Sequence, residues 1–531
     1  MTEEIKTLEF ILKPDKDEIV YDINKIKQHL FNIAKPIYIV SKNNNKDPGY
    51  KIKAYAPALL PDALGDKDFK KRHNLKYAYI AGAMANGISS VKMIQAMTNN
   101  GMTGFFGAGG LSLNKIEQAI IELKETLKSK TFGFNLIHSP SDPDHEMAVA
   151  SLYIKHNINL VSAAAFMRIT PPLVYYRVKG LCLDLDSKVV APNKIIAKVS
   201  RVEVAREFFS PPPEKLVSQL LERGLITEKE AILSKQIPMA QDITAEADSG
   251  GHTDNRPALT LLPTMLSLKN ECSAKFNFAD KLCVGLAGGI STPESAAAAF
   301  QMGAGYILTG SINQPCIEAN ISSSAKKMLE QAQQADVAMA PAADMFEIGA
   351  KVQVLKRGTM FSIRAEKLYN IYKNYQSFDQ VPQNERSQIE EKFLMASFEE
   401  KWIATKKFFE SNKNFKEIQR AEDNPKHKMA LVFRSYLGLS SKWAISGDTK
   451  RSIDYQIWCG PAIGAFNQWV KGTFLESVEN RQVAEIALNL LFGASTCIRL
   501  SWLKNQGIDF PSSDLSFKPL PSHELKKMIS L

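Results

Sequence analysis

Between Lys76 and Ser311 short apolar runs recur, each closing on Gly, Ala, Asn or a polar residue and each followed by a stretch with helical spacing. The runs are "YAYIAGAM" (77–84), "TGFFGAG" (103–109), "FGFNLI" (132–137), "NLVSAAAF" (159–166), "KIIAKVS" (194–200), "DITAEAD" (242–248), "CVGLAGG" (283–289) and "GYILTGS" (305–311). Near-continuous runs of this kind are how strands buried on both faces read. The intervening stretches are amphipathic. In "SLNKIEQAIIELKETLKS" (112–129), Ile116, Ala119, Ile120 and Leu123 share one helical face. "TPESAAAAFQMG" (292–303) offers Thr292 as cap, Pro293 at the first position and Gly303 as terminator. Eight such strands alternating with helices predict an α/β fold, a parallel (β/α)8 TIM-type barrel over 76–311. An open doubly wound sheet is the alternative.

Two connections exceed what a plain barrel needs. Residues 167–193 read as a proline-punctuated β excursion, and residues 201–240 hold "SPPPEKLVSQLLERGLITEKEAILSK", an inserted pair of helices started by proline. Beyond Ser311 the period becomes helical, so 312–531 is predicted as a mostly helical C-terminal region. The first 75 residues form an N-terminal segment with one strand, "PIYIVSK" (36–42), and a proline-marked linker.

Composition adds bounds. The chain has 531 residues, 45% of them hydrophobic and 23% charged, an ordinary globular balance. Its opening, "MTEEIKTLEF", is acidic and polar where a secretory signal would be basic and apolar. The charge-free run Ser295–Ile317 carries three glycines, Asn313, Gln314 and Pro315, and is read as buried core, with no membrane span expected. Six scattered cysteines without a CxxC pair fit neither a zinc site nor a disulfide scaffold, so no metal and a reduced, cytoplasmic setting are expected. The net charge of +10 reads as a lysine-rich surface or as attraction to an acidic partner. Nucleic acid is not expected, because no basic run is interleaved with aromatics.

Chemistry in a parallel barrel gathers at the C-terminal strand ends, with phosphate on the loops after the seventh and eighth strands. "GLAGGIST" (285–292) places Gly288 and Gly289 there, ahead of the positive end of a helix. "LTGSIN" (308–313) adds Gly310 and Ser311. Tight strand-to-helix turns are the alternative for these glycines. "FFGAGGLS" (105–112) lacks the third glycine of a dinucleotide fingerprint and reads as a close backbone turn. "AGAMANG" (81–87) sets small residues where backbone could lie against a ring, and Asn135 either bonds such a ring or turns the chain. "EADSGGHTDNRP" (246–257) joins Gly250 and Gly251 to His252, the candidate proton donor, with Asp248 and Asp254 as candidates to orient it or as caps. Lys198 ends the fifth strand facing the same mouth, or is its first solvated residue.

Together "EADSGGHTDNRP", "GLAGGIST", "LTGSINQ" and "AGAMANGISS" resemble the trans-acting enoyl reductases of polyketide and polyunsaturated fatty acid synthases (the PfaD type), within the nitronate monooxygenase-like flavoproteins. "KVQVLKRGTMFSIRAEKLYNIYKNY" (351–375) and "WCGPAIGAFNQWVKGTF" (458–474) extend the likeness beyond the barrel. The resemblance implies FMN as cofactor and NADPH as reductant. It implies an enoyl chain on the phosphopantetheine arm of an acyl carrier protein as substrate, within a polyketide or fatty acid synthase complex. It places Gly82, Ala83 and Met84 against the flavin ring and Asn135 bonded to it. Gly250, Gly251, Gly288, Gly289, Gly310 and Ser311 would hold the ribityl phosphate, with Ala287 and Lys198 on the cofactor side and His252 as the catalytic residue. Asp254 and Asn255 depart from the shorter relatives, where a glycine often follows the histidine by two residues. A nitronate-oxidising flavoenzyme and a non-catalytic scaffold protein of a synthase complex are the competing functions.

Overall fold

A computed structural model describes residues 19–20, 26–41, 51–140, 142–411, 414–510 and 515–530. The polar opening segment 1–10 lies outside them. Eight strands close into a barrel: β1 (Tyr79–Ala81), β2 (Thr103–Phe106), β3 (Gly133–Ile137), β4 (Leu160–Ala164), β5 (Lys194–Val199), β6 (Asp242–Glu246), β7 (Cys283–Ala287) and β8 (Ile307–Thr309). All neighbours run parallel, and the pairing of Ile307 with Tyr79 and Thr309 with Ala81 joins the last strand to the first. The open-sheet alternative is therefore excluded. Phe105, Leu160, Ile196, Cys283, Tyr306 and Leu308 belong to one buried cluster that fills the barrel. A larger core packs its outside against the helices.

The helices follow the predicted faces. Leu113–Leu127 buries Ile116, Ala119, Ile120 and Leu123. Pro293–Gln301 starts under Thr292, whose side chain accepts from the Ser295 N–H in a reciprocal capping pair. The insert after β5 folds as the helices Glu214–Glu222 and Glu228–Ser234. One expectation fails. The stretch read as a β excursion opens with a helix, Pro171–Val178, and only Cys182–Leu183 and Val189–Val190 pair as a hairpin. Its β-branched and aromatic residues suggested strand, yet Pro171 in the first helical turn costs no hydrogen bond, and Leu173, Val174, Tyr176 and Val178 are buried.

Beyond the barrel the chain is mostly helical, with two further strands, β9 (Val337–Pro341) and β10 (Lys351–Leu355). They pair antiparallel, and the free edge of β10 takes up Gly251–His252, with His252 opposite Val352 and Gly251 opposite Gln353. A second core, built around Phe361, Leu368, Phe433 and Leu437, lies under the helices Phe361–Asn374 and Pro425–Ser446.

Among the described residues one helix, Val483–Asn505, has the length and mean hydropathy (1.4) of a membrane span. Some 72% of its apolar window is buried inside the protein. It lies so close to the capped helix Pro293–Gln301 that a Cβ on Gly493 would stand 2.5 Å from Pro293. Its Arg499 is fully buried, donating to the carbonyls of Leu30 (2.8 Å), Asn32 (2.9 Å) and Pro57 (3.1 Å). These bonds tie the N-terminal sheet, which includes the strands Ile37–Ser41 and Lys51–Ala56, to the barrel side. A core helix of a folded domain accounts for all of this. The charge-free run Ser295–Ile317 likewise lies within the barrel, as most of the Pro293–Gln301 helix and β8.

Candidate active site

Side chains alternate along a strand, so Lys198, two residues beyond the interior Ile196, also turns inward at the open end of the barrel. The same alternation carries Glu246 inward from Thr244, whose hydroxyl bonds the buried Tyr306 (2.8 Å). Lys198 Nζ and Glu246 Oε1 meet at 2.7 Å, an ion pair across β5 and β6 that is largely shielded from water. At the first strand end, Ser89 donates to the Gly82 carbonyl (2.8 Å) and accepts from Met84 N–H (2.9 Å), which fixes the Gly82–Ala83–Met84 turn. A Cβ on Gly107 would stand 1.7 Å from the Met84 carbonyl, so that glycine is the close backbone turn expected of it. Asn135 Oδ1 accepts from Ala108 N–H at 2.6 Å, holding the second strand's loop over the third.

The glycines separate into two kinds. Cβ atoms on Gly250 would lie 2.6 Å from the Cα of Cys459, and on Gly288 2.6 Å from the backbone of Ala247. Both are sites of backbone-to-backbone packing. Around Gly251, Gly289 and Gly310 nothing lies within 4 Å of the missing Cβ. Gly251 and Gly289 have φ of +80° and +74°, conformations that side chains disfavour, and each shows bare backbone to open space. Ser311 Oγ accepts from Gly460 N–H at 2.9 Å, while Gly460 in turn packs on Ser249 and Gly250. The ends of β6 and β8 are thereby joined through Cys459–Gly460, with Ala287 buried at the end of β7 between them. Among the described residues, Gln314 Nε2 and Gln353 Oε1 are two of the buried side-chain atoms without a hydrogen-bond partner, and Gln353 pairs opposite Gly251.

His252 leaves the turn with its ring 42% exposed and Nε2 3.1 Å from Asp344 Oδ1. A carboxylate only accepts, so Nε2 carries the proton of that bond. Burial opposes the charged ring, but the Asp344 bond and charge, with Glu246 nearby, outweigh it and hold the His252 pKa above 6.5. Asp248 and Asp254, the acids nearest in sequence, are employed elsewhere. Asp248 accepts from Asn255 (2.8 Å) and Gln353 (2.7 Å). Asp254 takes the Arg201 guanidinium (3.0 Å) and the Ser200 hydroxyl (2.6 Å), which hold its pKa below the usual carboxylate value. Asn255 turns the chain at φ +50°. The "TDNRP" half thus braces the loop. Asp344 has no sequence signal: it is 92 residues from His252 and enters from the loop between β9 and β10.

Comparison with known proteins covers both parts of the chain. A family model described as nitronate monooxygenase matches residues 67–365. A second, described as [acyl-carrier-protein] S-malonyltransferase, inserted helical domain, matches residues 375–455. The polyketide biosynthesis protein PksE of Bacillus subtilis is 46% identical over 472 residues, 88% of this chain and 60% of its own length. A polyunsaturated fatty acid synthase subunit of Thraustochytrium sp. is 40% identical over 519 residues, 95% of this chain and 34% of its own length. The chain therefore spans less than two thirds of these relatives. The enoyl reductase domain of MlnA, from the macrolactin biosynthesis cluster of Bacillus amyloliquefaciens, superimposes with a TM-score of 0.78 at 41% identity, over 84% of this chain and 99% of that one.

Proposed function

The chain belongs to the nitronate monooxygenase family and, within it, to the trans-acting enoyl reductases of polyketide and polyunsaturated fatty acid synthases, and on that footing we propose that it reduces α,β-unsaturated acyl thioesters on an acyl carrier protein, with FMN bound and NADPH as electron source. The observation that carries this reading is the barrel mouth, where Gly251, next in sequence to His252, and Gly289 and Gly310, beyond the ends of β7 and β8, have nothing within 4 Å of the missing Cβ. The residues fit a flavin phosphate: N–H groups without Cβ hindrance, the Ser311 hydroxyl, and the N-terminal end of Pro293–Gln301. A reduced flavin held there supplies hydride to the β-carbon of the enoyl group.

The rest falls to the chain's own groups. Gly82, Ala83 and Met84, fixed by Ser89, give a small-residue floor, and Asn135 holds the adjoining loop. Ala287 and Lys198 border the cofactor space. His252 delivers the proton to the α-carbon. The net charge of +10 suits encounter with an acidic carrier protein. The helical segment 375–455 adds to this, since it is similar to the insert of a transferase named for an acyl carrier protein.

The purified protein should be yellow, bleach with NADPH under nitrogen and recover its colour with a crotonyl thioester. His252→Ala should keep flavin and NADPH reduction while losing about a hundredfold or more of enoyl reduction. A protein that binds no flavin sinks the reading, and recovery of colour by oxygen alone turns it into an oxidase.

A further inference from the structure

The partner of His252 comes from outside the barrel. Asp344 sits in the loop between β9 and β10, and that loop is gripped on both sides of it. Arg434, on the helix Pro425–Ser446, donates to the Ala343 carbonyl at 2.9 Å and pairs with Glu347 at 3.0 Å. Arg434 lies inside the segment that matches the inserted helical domain. We propose that Asp344 is the positioning residue of His252, and that Arg434 makes that positioning depend on the seating of the helical insert. The inference rests on the enoyl-reductase reading above.

The geometry assigns the protons. Nε2–H is committed to Asp344, and Nδ1 makes no hydrogen bond among the described residues. The proton that leaves is therefore the one on Nδ1. The Nδ1 proton goes to the α-carbon of the enoyl group, whose β-carbon would take hydride from the bound, NADPH-reduced cofactor, so that the C=C bond becomes CH–CH. The imidazolium becomes neutral imidazole, still donating through Nε2–H, and regains its proton from water at its exposed side. Asp344 stays a carboxylate throughout. Burial pushes its pKa up, but the His252 bond and the Arg434 charge outweigh this and keep it below 3.8.

The charged groups facing His252 are Asp344 on its loop, Glu246 from β6 and Lys198 from β5, with Arg434 behind Asp344. Asp344 and Glu246 favour the imidazolium and Lys198 opposes it. Because the pKa is raised, the proton-loaded form persists below that raised value and is lost as pH climbs through it. Removing the Asp344 charge moves this loss to lower pH.

The test uses the full chain with carbon-13-labelled histidine and follows the His252 ring signal by NMR against pH, assigned by its absence in His252→Ala. In Asp344→Asn the titration midpoint should fall. Enoyl reduction should drop on the order of tenfold at pH 8 and less than about twofold at pH 6, with flavin affinity unchanged. Arg434→Met should move the midpoint the same way by less, in a protein that still melts cooperatively above the assay temperature. Asp344 is 63% exposed, so its replacement leaves folding intact. An unmoved His252 midpoint in Asp344→Asn overturns the inference. If instead His252→Ala keeps full turnover while the midpoint moves in Asp344→Asn, the pairing stands and the proton-donor role is what fails.

Discussion

Two glycines at the barrel mouth should respond to the same added methyl in opposite ways. A Cβ on Gly250 would stand 2.6, 2.7 and 2.8 Å from the Cα, C and N of Cys459. All three are backbone atoms, so no flexible side chain can yield. The segment around Cys459 must lift, and the 2.9 Å bond from Gly460 N–H to Ser311 goes with it. Overpacking of this kind costs about 1–3 kcal/mol and the lost hydrogen bond about 0.5–1.5 kcal/mol. Gly250→Ala should therefore lose about 1.5–4.5 kcal/mol of stability. Gly310 differs: its φ is −132° and no atom lies within 4 Å of the missing Cβ. Gly310→Ala should leave the flavin-free protein close to the parent in stability, because the added methyl meets no atom. The methyl would, however, occupy space assigned to the flavin phosphate. One methyl too many in a filled site costs about 1–3 kcal/mol, which is a loss of affinity on the order of five- to 150-fold. Urea unfolding of the flavin-free protein and FMN titration by fluorescence quenching give both numbers. Wild-type FMN affinity in Gly310→Ala would refute the cradle, and wild-type stability in Gly250→Ala would refute the packing argument.

Arg499→Met should cost at least about 3 kcal/mol in urea unfolding, because the carbonyls of Leu30, Asn32 and Pro57 would be left buried without their charged donor. Glu146 is buried and accepts from His138 Nδ1 (3.0 Å), Ser139 N–H (3.0 Å) and the Thr170 hydroxyl. Burial raises its pKa, but these bonds outweigh it and leave the carboxyl below 4.5. Its stabilisation is thus present above that ordinary value and lost as pH falls through the depressed one. Glu146→Gln should melt lower than the parent at pH 7 and converge with it in acid; a gap that stays constant with pH contradicts the assignment.

The barrel was readable because its strands are apolar runs that end abruptly on glycine, asparagine or charge, and all eight appear within a few residues of the predicted limits. The candidate site was legible where one segment carries it: His252 and the two glycines before it are adjacent in sequence. What stayed hidden depends on contact between distant segments. "KVQVL" does carry a strand signature, since Val352 and Val354 alternate with polar neighbours, but nothing local says that it will pair with Gly251–His252. Asp344 stands in a small-residue turn without a motif. Nearer acids looked like better partners until the structure gave Asp248 to Asn255 and Gln353, and Asp254 to Arg201. Gly250 was expected at the cofactor phosphate, whereas the structure packs it against the backbone of Cys459, 209 positions along the chain.

The same long-range contacts restrict how the helical insert can move. Trp443 and Trp458 each pack against both the barrel-side core and the insert's own core, so the two share a seam. Trp458 also bridges to Val354 on β10, one residue before Cys459 reaches Gly250. A wide hinge opening would pull both indoles out of packed surroundings and lift the strand that holds His252. Sliding of packed helices by small distances keeps those contacts and still displaces Arg434 against the Asp344 loop. A shift in the seating of the insert would accordingly act on the histidine through a displacement of side-chain size, read as a change in proton affinity with the barrel itself unmoved.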